Sequence, residues 1–315
     1  MNKNRTIRTI RKTMPVAIAM AIALTLLFGF MMPAYAAAPD ASVSNAAGLI
    51  GAVSAAPAGP APYTIELTND IELTGSLIIP VGKNIILISG EGGPFSLICA
   101  ADQDTLTVSG KLTLGTTDLD GIIVTHRGGK KGSGVHVGSN GFLIMNSGEI
   151  SGNIGRSTGI PSGGGVYVNV DGSFEMYGGT IANNKVEMGG GVYALLGSFK
   201  MHGGTISDNI AINGGGGVYS YDFPFEMSGG EILNNTAFYG GGVYGYDTVF
   251  KMHGNAVIAN NTANYGGGVN LRSGVLEMAG GEITNNTASM GGGVHLRVGT
   301  IEISGGEITN NSATV

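Results

Sequence analysis

Asp118 and Asp120, separated by one residue, are the arrangement in this chain that comes nearest to catalytic chemistry. On a strand, residues i and i+2 share a face. Asp118-Leu119-Asp120 would therefore set two carboxylates side by side, the pairing that glycoside hydrolysis uses. Asp102, Asp104, His126 and Arg127 lie nearby in sequence, and a polysaccharide lyase draws on such residues for a calcium site and a base. The competing reading takes these aspartates as turn residues before Gly121. Asn-Thr-Asp and Gly-His-Gly motifs are absent, and no G-G-x-G-x-D nonapeptide signals a calcium roll. No metal site and no cofactor are expected, and the catalytic candidates reduce to Asp118 and Asp120.

A second set of side chains recurs with a period. Tyr167, Tyr193, Tyr219 and Tyr244, followed by Asn270 and His295, each stand next to a valine that opens a repeat. Because the valines face inward, alternation places these rings toward solvent. An exposed aromatic stripe is a binding surface for a glycan or a protein; the structural alternative is strand propensity with cross-strand packing.

The elements that must carry both sets follow from the repeat. Val166, Val192, Val218, Val243, Val269 and Val294 are spaced by 26, 26, 25, 26 and 25 residues, and Val135 heads an earlier degenerate copy before an insertion at 154–161. Each unit reads G-G-G-V-Y, F-E-M, G-G-T-I, N-N-T-A and contains three short apolar runs bounded by glycine or asparagine. Such runs are short strands. With 57 glycines among 315 residues, helices are disfavoured. Three strands cannot close a core alone, but one unit per turn of a coil can, with equivalent strands paired about 4.8 Å apart. The expected fold is all-β: a right-handed parallel β-helix of three short strands per coil. A propeller blade needs about 40 residues, and the L-x-x-L-x-L signature of leucine-rich repeats is missing.

In register, the inner columns are Phe174, Phe199, Phe225, Phe250, Leu276, Ile301; Met176, Met201, Met227, Met252, Met278, Ile303; and Ile181, Ile206, Ile232, Val257, Ile283, Ile308. Between the Phe and Met columns an outward column of Glu175, Lys200, Glu226, Lys251, Glu277 and Glu302, with signs alternating over its first five members, is expected to oppose register slippage. Asn184, Asn209, Asn235, Asn261, Asn286 and Asn311 follow the third run. There asparagine tolerates left-handed backbone and can stack its amides along the axis. The N-x-[ST] matches at Asn234, Asn260, Asn285 and Asn310 are by-products of these turns.

The remaining segments set the context. Lys3, Arg5, Arg8, Arg11 and Lys12 precede an apolar stretch at 16–32 and Ala34-Tyr35-Ala36, the pattern of a secretory signal peptide over residues 1–36. Without it 11 basic and 22 acidic residues remain, net −11, which argues against a nucleic-acid partner. No membrane span is expected in the mature chain. Residues 37–62 hold a helix-compatible stretch at 42–56, with Val43, Ala47, Ile50 and Val53 at helical spacing, then a proline-rich linker; this is expected to cap the first coil. Residues 63–131 form irregular first coils, and 132–315 are regular repeats that break off before another G-G-G-V. Either the sequence is truncated there, or an uncapped coil offers its edges for end-to-end self-association. Cys99 stands alone, so it is expected to be a buried free thiol.

The G-G-[AGV]-[VI] runs and N-N-T-A turns resemble those of secreted right-handed β-helix proteins of the pectate-lyase-like type. They are similar in particular to bacterial adhesin-like surface proteins and to polymorphic outer-membrane proteins with GGA[I/V]-type repeats. Tyr63-Thr64-Ile65-Glu66-Leu67-Thr68-Asn69-Asp70-Ile71 and Pro80-Val81-Gly82-Lys83-Asn84-Ile85 are similar to their first coils, and the resemblance covers about residues 40–315. It implies a secreted or cell-surface, adhesin-like role. No C-terminal barrel of the autotransporter kind occurs in these residues. The sequence thus favours a non-catalytic module that presents its coil faces to a glycan or to a host or microbial surface protein. A carbohydrate-active enzyme and a purely structural spacer are the alternatives.

Overall fold

The computed structural model describes residues 38–117, 120–156 and 163–314. The expected signal peptide and Asp118 lie outside them. The chain forms a right-handed parallel β-helix of about 10 turns, and strand pairs along the coil are parallel from Ala41–Val43 to Ser312–Ala313. Among the described residues no helix is long and apolar enough to cross a membrane.

The coil opens on a short strand, Ala41–Val43, paired with Tyr63–Leu67, and a helix, α1, at Ala46–Ala55. The Asn45 side chain accepts the Gly48 N–H at 2.9 Å, an N-cap that starts the helix. Lys83 donates from the next coil to the Ser54 and Ala56 carbonyls at the helix end. The helix is shorter than the expected 42–56 because Ser42 and Val43 pair as strand. Leu49 and Val53 face the core, whereas Ile50 is 54% exposed.

The inner columns run further than the repeats from which they were read. Ile85, Leu112 and Leu143 lead into Phe174, and Leu87, Leu114 and Met145 into Met176. The first coils thus share the register of the later ones. Successive Phe174, Phe199, Phe225 and Phe250 rings stack at 4.9–5.1 Å. Each fully buried side chain of these columns is worth about 1.5–3 kcal/mol. In the third-strand column the inward residue is Ile258, paired with Ile232 and Ile283, whereas Val257 pairs with Glu231 and Glu282. One extra residue between Met252 and Ile258 shifts the face, so the expected Val257 is corrected to Ile258. In the last coil Ile301, Ile303 and Ile308 are exposed.

The N-N pair divides two tasks between its members. The first residue takes the left-handed conformation: Asn183, Asp208, Asn234, Asn260, Asn285 and Asn310 all have φ between 55 and 58°. The second is buried and builds a ladder. Each of Asn184, Asn209, Asn235, Asn261 and Asn286 donates from its backbone N and from Nδ2 to the Oδ1 of the asparagine in the next coil, at 2.8–3.0 Å. Asn153 extends the ladder by one coil, and His126 closes it with Nδ1 2.7 Å from Asn153 Oδ1.

Three strands per coil do not complete the structure. The Thr-Ala of N-N-T-A is not turn but a fourth short strand, seen as Lys185–Met188, Ile210–Gly214, Thr262–Tyr265 and Thr287–Met290. Bridges at Thr236 and Tyr239 join these into a ribbon along the coil. Its inward residues Val186, Ala211, Ala237, Ala263 and Ala288 are buried.

Candidate functional site

The tyrosine column is placed opposite to expectation. Tyr167, Tyr193, Tyr219 and Tyr244 are in register on consecutive coils but only 6, 4, 7 and 7% exposed. They form a second apolar core outside the main one, with Met188, Leu195, Tyr221 and Tyr246 packed against it. The ribbon covers them. A side chain at Gly214 would sit 3.2–3.3 Å from the Tyr244 and Tyr219 rings, so glycine there makes room for the column. Neighbouring rings lie 4.8–5.5 Å apart, tilted or edge-on. Burial drives the hydroxyl pKa values of Tyr193 and Tyr219 well above the ordinary range. Tyr167, Tyr193 and Tyr219 hold the ribbon to the coil, whereas Tyr244, at the end of the column, also borders a cleft.

The accessible aromatics flank that column. Tyr221 and Tyr246 stack at 4.9 Å and 14° on one side. On the other, Phe238, Tyr239 and Tyr265 are in mutual ring contact on the ribbon, and Tyr239 is 39% exposed.

Beyond Tyr244 the column changes to Asn270 and His295, and a cleft opens, lined by Tyr239, Tyr244, Asn270, Arg272, His295 and Arg297, with a volume of about 180 Å³. A bulge positions Arg272. Leu271 pairs with Gly245 and Ser273 with Tyr246, leaving Arg272 as the extra residue, a device that re-aims a side chain. Its guanidinium lies 4.8 Å from the centre of the Tyr246 ring, a cation–π distance. Arg297 follows one coil on, its backbone N–H bonded to Leu271 O at 2.9 Å. Asn270 Nδ2 stands 3.1 Å from His295 Nδ1. An amide nitrogen can only donate, so His295 Nδ1 accepts and Nε2 carries a donor proton. Sequence reasoning missed this cleft; the available signal was an arginine in the same position of two consecutive repeats.

Asp120 is a turn residue. Its carboxylate accepts the Thr116 and Thr117 backbone N–H groups at 2.8 Å, the Thr116 hydroxyl, and Ser147 Oγ at 3.3 Å. Partial burial would raise its pKa, but these donors bring it below the ordinary value. Held as a turn anchor, its carboxylate is not poised as a general acid.

A polar cluster closes the other end of the tyrosine column. Asp104 accepts from Arg156 Nη2 at 2.7 Å and from the Ser133 N–H at 2.8 Å, and stands 3.3 Å from His136 Nδ1. Burial pushes its pKa up, but His136, Ser133 and Arg156 together leave it below normal. His136 occupies the column position before Tyr167, ring centres 5.0 Å apart. Ser133 Oγ is committed to Gly163 O at 2.8 Å, and among the described residues the Asp104 carboxylate anchors the Ser133 backbone and Arg156. Asp102 and Arg127 bind elsewhere, Asp102 to the Lys131 N–H and Arg127 to Glu72 at 2.8 Å.

The outward charge column is in register as expected. Among the described residues only its Lys251–Glu277 step closes to an ion pair, at 3.1 Å. Glu175 accepts from the Tyr177 hydroxyl and Glu226 pairs with His253. Cys99 is buried with its thiol 3.6 Å from Ala101 O, and burial raises its pKa. Among the described residues no three His, Cys, Asp or Glu side chains converge on a metal-sized gap.

Compared with known protein families, curated proteins and solved structures, the chain matches none.

Proposed function

We propose that this is an exported, adhesin-like, non-catalytic β-helix module that binds a glycan on the face flanking its tyrosine column. The observation that carries this reading is the aromatic surface of the exposed Phe238 and Tyr239 with the half-buried Tyr221, Tyr246 and Tyr265 on neighbouring coils, next to a polar cleft. Aromatic rings offer flat apolar faces with polar edges, which suits the alternating apolar and hydroxylated faces of sugars. Paired backbone holds the rings at a repeat of about 4.8 Å, so the surface is ordered before a ligand arrives and binding loses little conformational freedom. The Asp120 and Asp104 environments, both committed to backbone anchoring, favour binding over turnover.

A glycan array probed with the purified protein tests the reading. Binding to a restricted set of glycans, lost in Tyr246→Ala and Tyr239→Ala, is expected. Absence of binding to every glycan, or binding indifferent to both changes, refutes it. Incubation with pectins and other uronic-acid polymers, followed by unsaturated-product absorbance and reducing ends, separates it from the enzymatic alternative.

A further inference from the structure

We infer that the cleft between Arg272 and Arg297 is an anion site, and that it takes a sulfate or carboxylate group borne on a sugar ring. The inference rests on the glycan-binding reading and names the chemistry of the sugar.

The charges carry the argument. Residues 37–315 hold 11 basic and 22 acidic side chains and only four arginines. Arg127 pairs with Glu72 and Arg156 with Asp104, at 2.8 and 2.7 Å. Arg272 and Arg297 have no ion pair among the described residues and line one cleft together. They occupy adjacent coils, Leu271 pairing with Leu296 immediately before them. Like charges on neighbouring strands destabilise each other, and no carboxylate lines the cleft to relieve them. A bound anion removes the repulsion and gains charge-assisted hydrogen bonds from two planar forks. His295, with Nε2 left as a donor, and the Tyr244 hydroxyl add polar partners of the same cleft.

The rest of the lining identifies what carries the anion. The exposed ring of Tyr239 borders the cleft, a flat apolar wall of the kind on which a sugar ring stacks. The volume of about 180 Å³ falls below the roughly 300–1,000 Å³ of sites that enclose a whole small molecule. It fits one charged residue of a longer chain, whose neighbours would run along the ring edges of Tyr246 and Tyr221.

Calorimetric titration of the full chain with four probes tests this: a sulfated oligosaccharide, a uronate oligosaccharide, a neutral oligosaccharide of matched length, and inorganic sulfate. At least one anionic oligosaccharide is expected to bind ten-fold or more tighter than the neutral one. Its affinity should fall with added salt, and drop ten-fold or more in Arg272→Gln and in Arg297→Gln, with thermal unfolding unchanged. Lys200→Gln, remote from the cleft, is expected to leave affinity unchanged. Preference for the sulfated or the uronate probe identifies the anion. Equal affinity for anionic and neutral probes, or indifference to both arginine changes, overturns the anion site while leaving glycan binding standing. Inorganic sulfate binding as tightly as the oligosaccharides overturns the sugar part. Failure of every probe here and on the array overturns both readings.

Discussion

Replacing Asn209 by alanine interrupts the amide ladder in the middle of the coil, where both neighbours are present. Asn209 Oδ1 accepts the Asn184 backbone N–H and Nδ2 at 3.0 Å, and Asn209 Nδ2 donates to Ile181 O at 2.9 Å and Asn235 Oδ1 at 3.0 Å. Its side chain is wholly buried, so water cannot replace these partners. The alanine strands the Asn184 N–H and one Asn184 Nδ2 proton and withdraws the donor to Ile181 O. An unsatisfied buried group costs about 1–3 kcal/mol, so three such groups give an expected loss of about 3–9 kcal/mol. The adjacent Asp208 provides an internal control. It is exposed, and its φ of 56° is its special feature, so Asp208→Ala should cost about 1–2 kcal/mol from the left-handed backbone alone, and Asp208→Gly close to nothing. Urea unfolding followed by far-ultraviolet circular dichroism gives the midpoints. Because coils can open one at a time, amide exchange at Asn184 should be read alongside. Asn209→Ala no more destabilising than Asp208→Ala, with exchange at Asn184 unaltered, would refute the reasoning that the ladder holds the coils together.

Further substitutions check neighbouring parts. Ile258→Ala should destabilise by about 2–5 kcal/mol and Val257→Ala by clearly less, measured by thermal melts; the reverse order would restore Val257 to the core. Tyr193→Ala should cost about 3–5 kcal/mol, the range for large aromatic truncations, while Tyr193→Phe stays close to the parent in the same melts. Lys251→Gln removes the exposed pair with Glu277 and should cost only about 0.2–1 kcal/mol in urea unfolding, shrinking in high salt. Asp104 has a depressed folded pKa, so its contribution to stability is fully present above the unfolded value of about 3.9 and is lost as pH falls through the lower folded value. Stability should therefore drop on acidification below about pH 4, and Asp104→Asn should be weaker at neutral pH with a flatter acid limb.

Much of the fold was legible because the repeat forces equivalent residues to stack. The Phe and Met columns and the asparagine positions needed only a constant spacing. Val257 was misplaced because the coil length alternates between 25 and 26 and two neighbouring β-branched residues both fit the core. Counting back two residues from the N-N pair, as from Asn234 to Ile232, selects Ile258. The tyrosines were misread because strand alternation distinguishes two faces of a strand but not what covers the second face. The covering ribbon is written in Ala211, Ala237, Ala263 and Ala288, each two positions after a ladder asparagine from Asn209 to Asn286, and small residues carry little periodic signal of their own. The cleft depends on the bulge at Arg272, a pairing detail that no local pattern specifies.

Hydroxyl-radical footprinting of the tyrosines, read by mass spectrometry, tests most directly the claim that the repeated tyrosine is core and the surface around it is the binding face. Tyr177 and Tyr239, 50 and 39% exposed, should label strongly, and Tyr167, Tyr193, Tyr219 and Tyr244 should stay silent. Addition of an anionic oligosaccharide should protect Tyr239 and leave Tyr177 unchanged. Strong labelling along the Tyr167–Tyr219 column, or protection of those three tyrosines by the ligand, would contradict it.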